Sequence, residues 1–291
     1  MRRAVGVNTW VWASPLDDDG LARLARKAAG MGFEVLELPV ENLGDWDPHR
    51  AREVLDTEGL TACVVGAMAP GRDLVTAPSG AVAPGAVEAT QDYLRGCVEA
   101  AVVVGATRVC GPFYASTGRT WRMTADERRA AVRELREHLA PVRDHAAERG
   151  VTLGIEPLNR YETSLVNTTE QALDALEPLL GEGLGLALDT YHLNIEEKDP
   201  LAAVRTAGEH LVHLQVCGTD RGAVGDDHGD WTGLLAVLDE IGYAGPLVLE
   251  SFTSDNASIA TAASVWRPLA ASQDELARRT IEFLTRLQET S

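Results

Sequence analysis

Eight short apolar runs, each followed by a stretch of helical periodicity, constrain this chain more than any other feature. The runs lie at 4–12, 33–41, 60–68, 107–114, 151–156, 184–189, 211–217 and 246–250. The helical stretches lie at 20–31, 47–57, 86–101, 124–149, 167–180, 199–209, 231–241 and 272–288. Several carry boundary signals: Gly32 as a stop, Asp47-Pro48 as a cap followed by proline, Thr124 to Glu127 as a capping box, and Asn167-Thr168 as a start. Strands alternating with helices imply a parallel sheet. No Gly-x-Gly-x-x-Gly follows the first run, which argues against a doubly wound dinucleotide fold. The expectation is a (β/α)8 TIM barrel, α/β in class, forming one domain over 1–291 with its site at the C-terminal mouth.

Side chains of a strand alternate between its faces, and three of the later runs end that alternation on a polar group. Val151, Leu153 and Ile155 oppose Thr152, Gly154 and Glu156. Leu184, Leu186 and Leu188 oppose Gly185, Ala187 and Asp189. Val212, Leu214 and Val216 are expected to oppose Leu211, His213 and Gln215. In the short last run, Leu247 and Leu249 oppose Val248 and Glu250. Each strand thus has one greasy face and one small or polar face that ends in an acid or amide.

Composition enters mainly through what it excludes. Against 44 acidic residues stand 26 basic ones, a formal charge of −18, which is unsuited to a phosphate backbone. No nucleic-acid partner is expected. Cys63, Cys97, Cys110 and Cys217 lie far apart without a CxxC, so neither a disulfide framework nor a thiolate zinc site is indicated. No run of about 18 apolar residues exists and MRRAVGVNTWVW lacks a signal-peptide core, so a cytoplasmic protein with no membrane partner is expected.

Three acids at one barrel mouth, Glu156, Asp189 and Glu250, would repel one another unless a cation shares them. A hard divalent ion with oxygen ligands resolves the conflict, with Mn²⁺ first and Mg²⁺ or Co²⁺ as alternatives. His213 and Gln215 compete for the remaining ligand position; Gln215 stands one step nearer the mouth and is preferred, leaving His213 as a hydrogen-bonding residue beneath it. Glu162, His192 and Arg221 suit the oxygens of a polyhydroxylated substrate. Trp10, Trp12, Phe113 and Trp266 either wall the pocket or fill the core, and His228 belongs to a solvated Gly/Asp loop.

The runs GIEPLNRYETSLVNT, LDTYHLNIEE, CGTDRG and LVLESF together resemble the sugar epimerases that act on free ketohexoses at C3. That group includes the tagatose and allulose (psicose) 3-epimerases within the xylose-isomerase-like barrel superfamily. The resemblance covers most of the chain and is strong from about 150 to 252. It implies a metal held by Glu156, Asp189, the residue on strand seven and Glu250, with Glu162, His192 and Arg221 on substrate oxygens. It also implies a homodimer or homotetramer. One departure stands out: these epimerases carry His where this chain has Gln215, a residue similar to the one hydroxypyruvate isomerases use.

The implied chemistry starts by removing the acidic C–H beside a ketose carbonyl, giving an enediolate whose charge a divalent metal can neutralise. Protonation from the opposite face epimerises the carbon. Glu156 and Glu250 are the expected acid/base pair as well as metal ligands. Isomerisation of a short oxo-acid and β-elimination from a 3-oxo-glycoside share the same first step. A relict sugar-binding barrel is the alternative without catalysis. A DNA-repair endonuclease of this superfamily needs a basic face and extra histidines, whereas this chain has seven.

Overall fold

The computed structural model describes residues 1–78 and 80–290, apart from the side chains at 257 and 258. The expected alternation is realised in the order β1 (Val5–Asn8), α1 (Asp18–Met31), β2 (Val35–Val40), α2 (Pro48–Glu58), β3 (Thr61–Gly66), α3 (Ala86–Val104), β4 (Arg108–Gly111) and α4 (Ala125–Glu148). It continues through β5 (Thr152–Ile155), α5 (Thr169–Leu176), β6 (Leu184–Asp189), α6 (Thr190–Glu196), α7 (Pro200–Ala207), β7 (Leu211–Val216), α8 (Trp231–Glu240), β8 (Leu247–Leu249), α9 (Ala257–Ala262) and α10 (Gln273–Thr290). The strands form a closed parallel barrel in sequence order. Closure comes from β8 pairing with β1 through Val5↔Leu247, Gly6↔Val248 and Val7↔Leu249. No helix among the described residues is long and apolar enough to cross a membrane.

The helix boundaries follow their signals. Thr124 and Glu127 form a reciprocal capping box, Asp47 caps α2 ahead of Pro48, and Gly32 ends α1 in the left-handed region at φ 95°. The greasy strand faces, including Val7, Leu36, Leu38, Val64, Val109, Leu153, Leu186, Leu188, Leu214 and Leu249, form one core between barrel and helices. Leu186 and Leu214 are both fully buried, and burying a leucine contributes about 1.5–3 kcal/mol. The barrel interior is left to small and polar groups, and that is where the site stands.

Four sequence readings need correction. The first run does not continue as strand to 12, because the Asn8 side chain accepts the Trp10 N–H and turns Thr9–Val11 into a 3₁₀ turn. The fourth run ends at Gly111, at φ +150°, where an added Cβ would lie 2.7 Å from the Gly66 carbonyl oxygen. Two short helices, α6 and α9, were not anticipated. Finally, Val212 does not share a face with Leu214 and Val216. A register shift between β6 and β7 pairs Leu186 with Leu211 and Ala187 with His213. Leu211 therefore joins the outer core while Val212 turns inward over Gly154 and Gly185.

That inward turn makes Gly185 indispensable as a glycine. A Cβ there would lie 2.5 Å from Val212 Cγ1 and 2.6 Å from the His210 carbonyl. Gly185→Ala is expected to destabilise by about 1–3 kcal/mol, read as a lower urea midpoint at unchanged slope.

Candidate active site

The backbone ladder carries Glu156 and Glu250 past the formal ends of their strands. The Glu156 N–H donates to the Gly111 carbonyl and the Glu250 N–H to the Val216 carbonyl, both at 3.1 Å. Asp189 is the last residue of β6, and its Oδ1 caps α6 by accepting the Tyr191 N–H at 2.9 Å. Gln215 pairs with Asp189 across the ladder. The four side chains expected at the mouth thus rise from adjacent strands, and all are buried.

Arg221 sits among them. Its Nη1 contacts Asp189 Oδ2 and lies 3.0 Å from Glu250 Oε2, while its guanidinium stacks 4.2 Å from the Tyr191 ring and 5.1 Å from that of Phe252. Its backbone has φ 69°, a costly conformation for a non-glycine residue. Ser251 holds it there by donating its hydroxyl to the Arg221 carbonyl at 2.6 Å.

Below the mouth lies a group that sequence reasoning left unassigned. Glu37, fully buried on β2, accepts from Asn8 Nδ2 at 2.7 Å and Gln215 Nε2 at 2.8 Å. His213 Nε2 lies 2.7 Å from its other oxygen. Burial works against a charged imidazole, but the Glu37 charge outweighs it and lifts His213 to about 10. The available signal was the strand alternation, which puts Glu37 on the face opposite Leu36 and Leu38.

Burial pushes the Glu156 carboxyl well above the usual range, and Glu250 and Asp189 push it further against the opposing charge of Arg221. Glu250 is also raised by burial; Arg221 opposes this, while Asp189 and Glu37 add to it. The carboxyls of Glu37, Glu156, Asp189 and Glu250 outnumber Arg221 and His213, the cationic side chains that face them, which suits a divalent ion.

Glu156, Asp189 and His192 bring ligand atoms within 4.8 Å of one another. His192, however, is poorly placed to be a ligand. Its Nδ1 accepts the Asn159 backbone N–H at 3.0 Å, and Arg221 Nη2 stands 3.2 Å from its Nε2, so both ring nitrogens face protein donors. Burial and then Arg221 push its pKa down to about 3, keeping it neutral. Its Nε2 also lies 3.5 Å from Glu156 Oε1. Buried oxygens without a hydrogen-bond partner include Glu156 Oε1 and Gln215 Oε1. Such orphaned oxygens beside excess negative charge fit a hard cation.

Asn159 ties the outer residues together: its backbone N–H holds His192 and its Nδ2 donates to Glu162 Oε1 at 2.7 Å. Burial raises the Glu162 carboxyl, with Arg221 and the Asn159 hydrogen bond opposing. Among the proposed aromatic walls, Trp10 clusters with Val65, Phe252, Ile259 and Val265, its ring 5.7 Å from that of Phe252. Phe113 is fully buried in the main core, and Trp12 hydrogen-bonds Asp274 at 2.7 Å. Trp266 is neither wall nor core, being 73% exposed. His228 is exposed, as expected.

Comparisons with known proteins identify relatives that match nearly the whole chain. A ketose 3-epimerase from Arthrobacter globiformis is 29% identical over 282 residues, spanning 96% of this chain and 95% of its own. An L-ribulose 3-epimerase from Methylomonas sp. (strain DH-1) is 28% identical over 285 residues, spanning 97% of each chain. Among solved structures, D-allulose 3-epimerase from Methylomonas sp. in complex with D-allulose superposes with a TM-score of 0.87 at 27% identity, covering 98% of this chain and 97% of that one. The family described as "Xylose isomerase-like TIM barrel" matches residues 25–287. With a closed eight-stranded barrel and a carboxylate cluster at its C-terminal mouth, this chain belongs to the xylose isomerase-like TIM barrel family.

Proposed function

We propose that this protein is a divalent-metal-dependent ketose 3-epimerase. The observation that carries the reading is the pair of buried, high-pKa carboxylates, Glu156 and Glu250, three strands apart around the mouth of a barrel similar over nearly its whole length to ketose 3-epimerases. Glu156, Asp189, Gln215 and Glu250 would hold the ion, with Mn²⁺ as our first choice and Mg²⁺ or Co²⁺ as alternatives. When bound, a divalent ion would supply Lewis-acid neutralisation of charge developing on the substrate carbonyl oxygen.

The chain's own residues account for the remaining steps. One of the two glutamates takes the proton from the carbon beside the carbonyl, and the other returns a proton to the opposite face, inverting that carbon. Carboxylates held above their usual pKa are stronger bases than exposed ones, so burial serves the abstraction. His192, kept neutral by burial and set between Arg221 and Glu156, is suited to contact a substrate oxygen beside Glu156. Glu162, fixed by Asn159, is suited to accept from a substrate hydroxyl. Arg221 neutralises Asp189 and Glu250 and reaches toward the same space. Trp10 with Phe252 offers an apolar wall, while His213 and Phe113 serve as support from below and behind. A homodimer or homotetramer in the cytoplasm completes the proposal.

Gln215 favours a second reading, isomerisation of a short oxo-acid. Both readings are tested by incubating the protein with Mn²⁺ in D₂O and following fructose, allulose, tagatose, hydroxypyruvate and 3-oxo-glucosides by NMR. Deuterium at C3 of a ketose together with its C3 epimer is the expected result. Turnover of hydroxypyruvate alone would replace the epimerase reading, and deuterium in no substrate would remove both.

A further inference from the structure

The Gln215 amide is held in one orientation by a chain of hydrogen bonds that runs through Glu37 to Asn8 at the end of β1. The Trp10 backbone N–H donates to Asn8 Oδ1 at 2.8 Å, so the other end of the Asn8 amide must be its NH₂ group, which donates to Glu37 at 2.7 Å. Glu37 Oε2 thus accepts from both Asn8 and Gln215, while His213 Nε2 pairs with its Oε1 at 2.7 Å. The two N–H groups of Gln215 are both taken by carboxylates, one by Glu37 Oε2 and one by Glu250 Oε1, each at 2.8 Å. Flipping the amide would set its oxygen against two carboxylate oxygens. Its Oε1 is therefore left over, buried and without any hydrogen-bond partner.

We propose that Glu37 is a positioning residue that turns the Gln215 amide oxygen into the site, giving Glu156, Asp189, Gln215 and Glu250 as an all-oxygen ligand set. The inference rests on the metal-dependent reading above and goes beyond it by assigning a role to Glu37 and a preference to the site. His192 is engaged at both nitrogens, Nδ1 by the Asn159 N–H and Nε2 by Arg221 Nη2 at 3.2 Å, and His213 is turned to Glu37. No imidazole then remains to ligate, and carboxylate and amide oxygens suit Mg²⁺ and Mn²⁺, whereas imidazole favours Ni²⁺ and Zn²⁺.

The test uses full-length protein stripped with chelator and reloaded with Mn²⁺ or Ni²⁺. Pulsed electron paramagnetic resonance of bound Mn²⁺ is expected to show no coupling to a directly bound nitrogen. Gln215→His is expected to introduce that coupling and to shift the ratio of Ni²⁺ to Mn²⁺ affinity toward Ni²⁺ by roughly tenfold or more. By calorimetry, Gln215→Leu and Glu37→Gln are each expected to weaken Mn²⁺ binding about 10–100-fold. The double variant should be no weaker than Gln215→Leu alone, because Glu37 acts through Gln215. If Glu37→Gln does not fold, Glu37→Asp, which shortens the arm and keeps the charge, carries the same cycle. Nitrogen coupling in the unaltered protein, or an equal Glu37 effect with and without Gln215, would overturn this inference while leaving metal dependence standing. Failure of the unaltered protein to bind Mn²⁺ at all would overturn the metal-dependent reading as well.

Discussion

Glu156→Gln and Glu250→Gln are each expected to reduce ketose epimerisation by roughly 1,000-fold or more, the upper part of the range for losing a general acid/base. Glutamine is nearly the same size and keeps an oxygen, so the substitution removes chiefly the ability to carry the proton. It also removes one of the three carboxylates at the mouth, so metal content must be measured beside rate. A variant that keeps its metal and loses turnover has lost a base rather than a ligand. The two variants should differ in a telling way. If one glutamate serves each face, each variant loses solvent-deuterium exchange from one epimer at C3 and keeps it from the other, and the two variants lose opposite epimers. Retention of exchange from both epimers in both variants would show that neither carboxylate is the base.

Most of the site was legible because strand alternation and topology place it. Glu156, Asp189, Gln215 and Glu250 all follow the small or polar face of their strands, and barrel closure brings these strand ends to one mouth. The alternation failed where the ladder itself is irregular. At the bulge between β6 and β7, one residue of β7 is left over, and the tight backbone of Gly154 and Gly185 makes room for it to turn inward. Nothing in the local run LVHLQV announces that shift. The helix α6 escaped notice because it is seven residues long and begins on the candidate ligand Asp189, whose carboxylate caps it.

Partnership was harder to read than position. Glu37 could be placed on a strand, but its joining of Asn8, His213 and Gln215 depends on pairings between residues as far apart as 178 positions. Asn159 likewise looked like part of a loop. Its backbone N–H engages Nδ1 of His192, which leaves Nε2 as the nitrogen that meets Arg221 and Glu156. Arg221 was expected to face substrate. The structure adds that it first answers Asp189 and Glu250, which is how these carboxylates coexist in a buried site.

The gap in thermal midpoint between metal-loaded and chelator-treated protein is expected to widen as pH rises from about 6 to about 8.5. Glu156 and Glu250 titrate well above 4.5 in the folded, metal-free chain, so that chain keeps protons the unfolded chain has already released. The stability this contributes is complete below the unfolded value and is lost as pH rises through the folded one. His213 adds in the same direction, its contribution present below 6.5 and lost on the way to about 10. His192, pushed down to about 3 from 6.5, changes stability between those values and is level above 6.5. Without metal, the protein should therefore weaken as the solution becomes alkaline. A divalent ion requires the glutamates deprotonated, so its binding displaces their protons and tightens by up to about tenfold per pH unit for each proton displaced. Glu156→Gln should flatten the dependence, since one of the two titrating groups is gone. A gap that stays constant or narrows in the unaltered protein would mean that these glutamates are already ionised without metal, and that their charge is balanced within the protein itself.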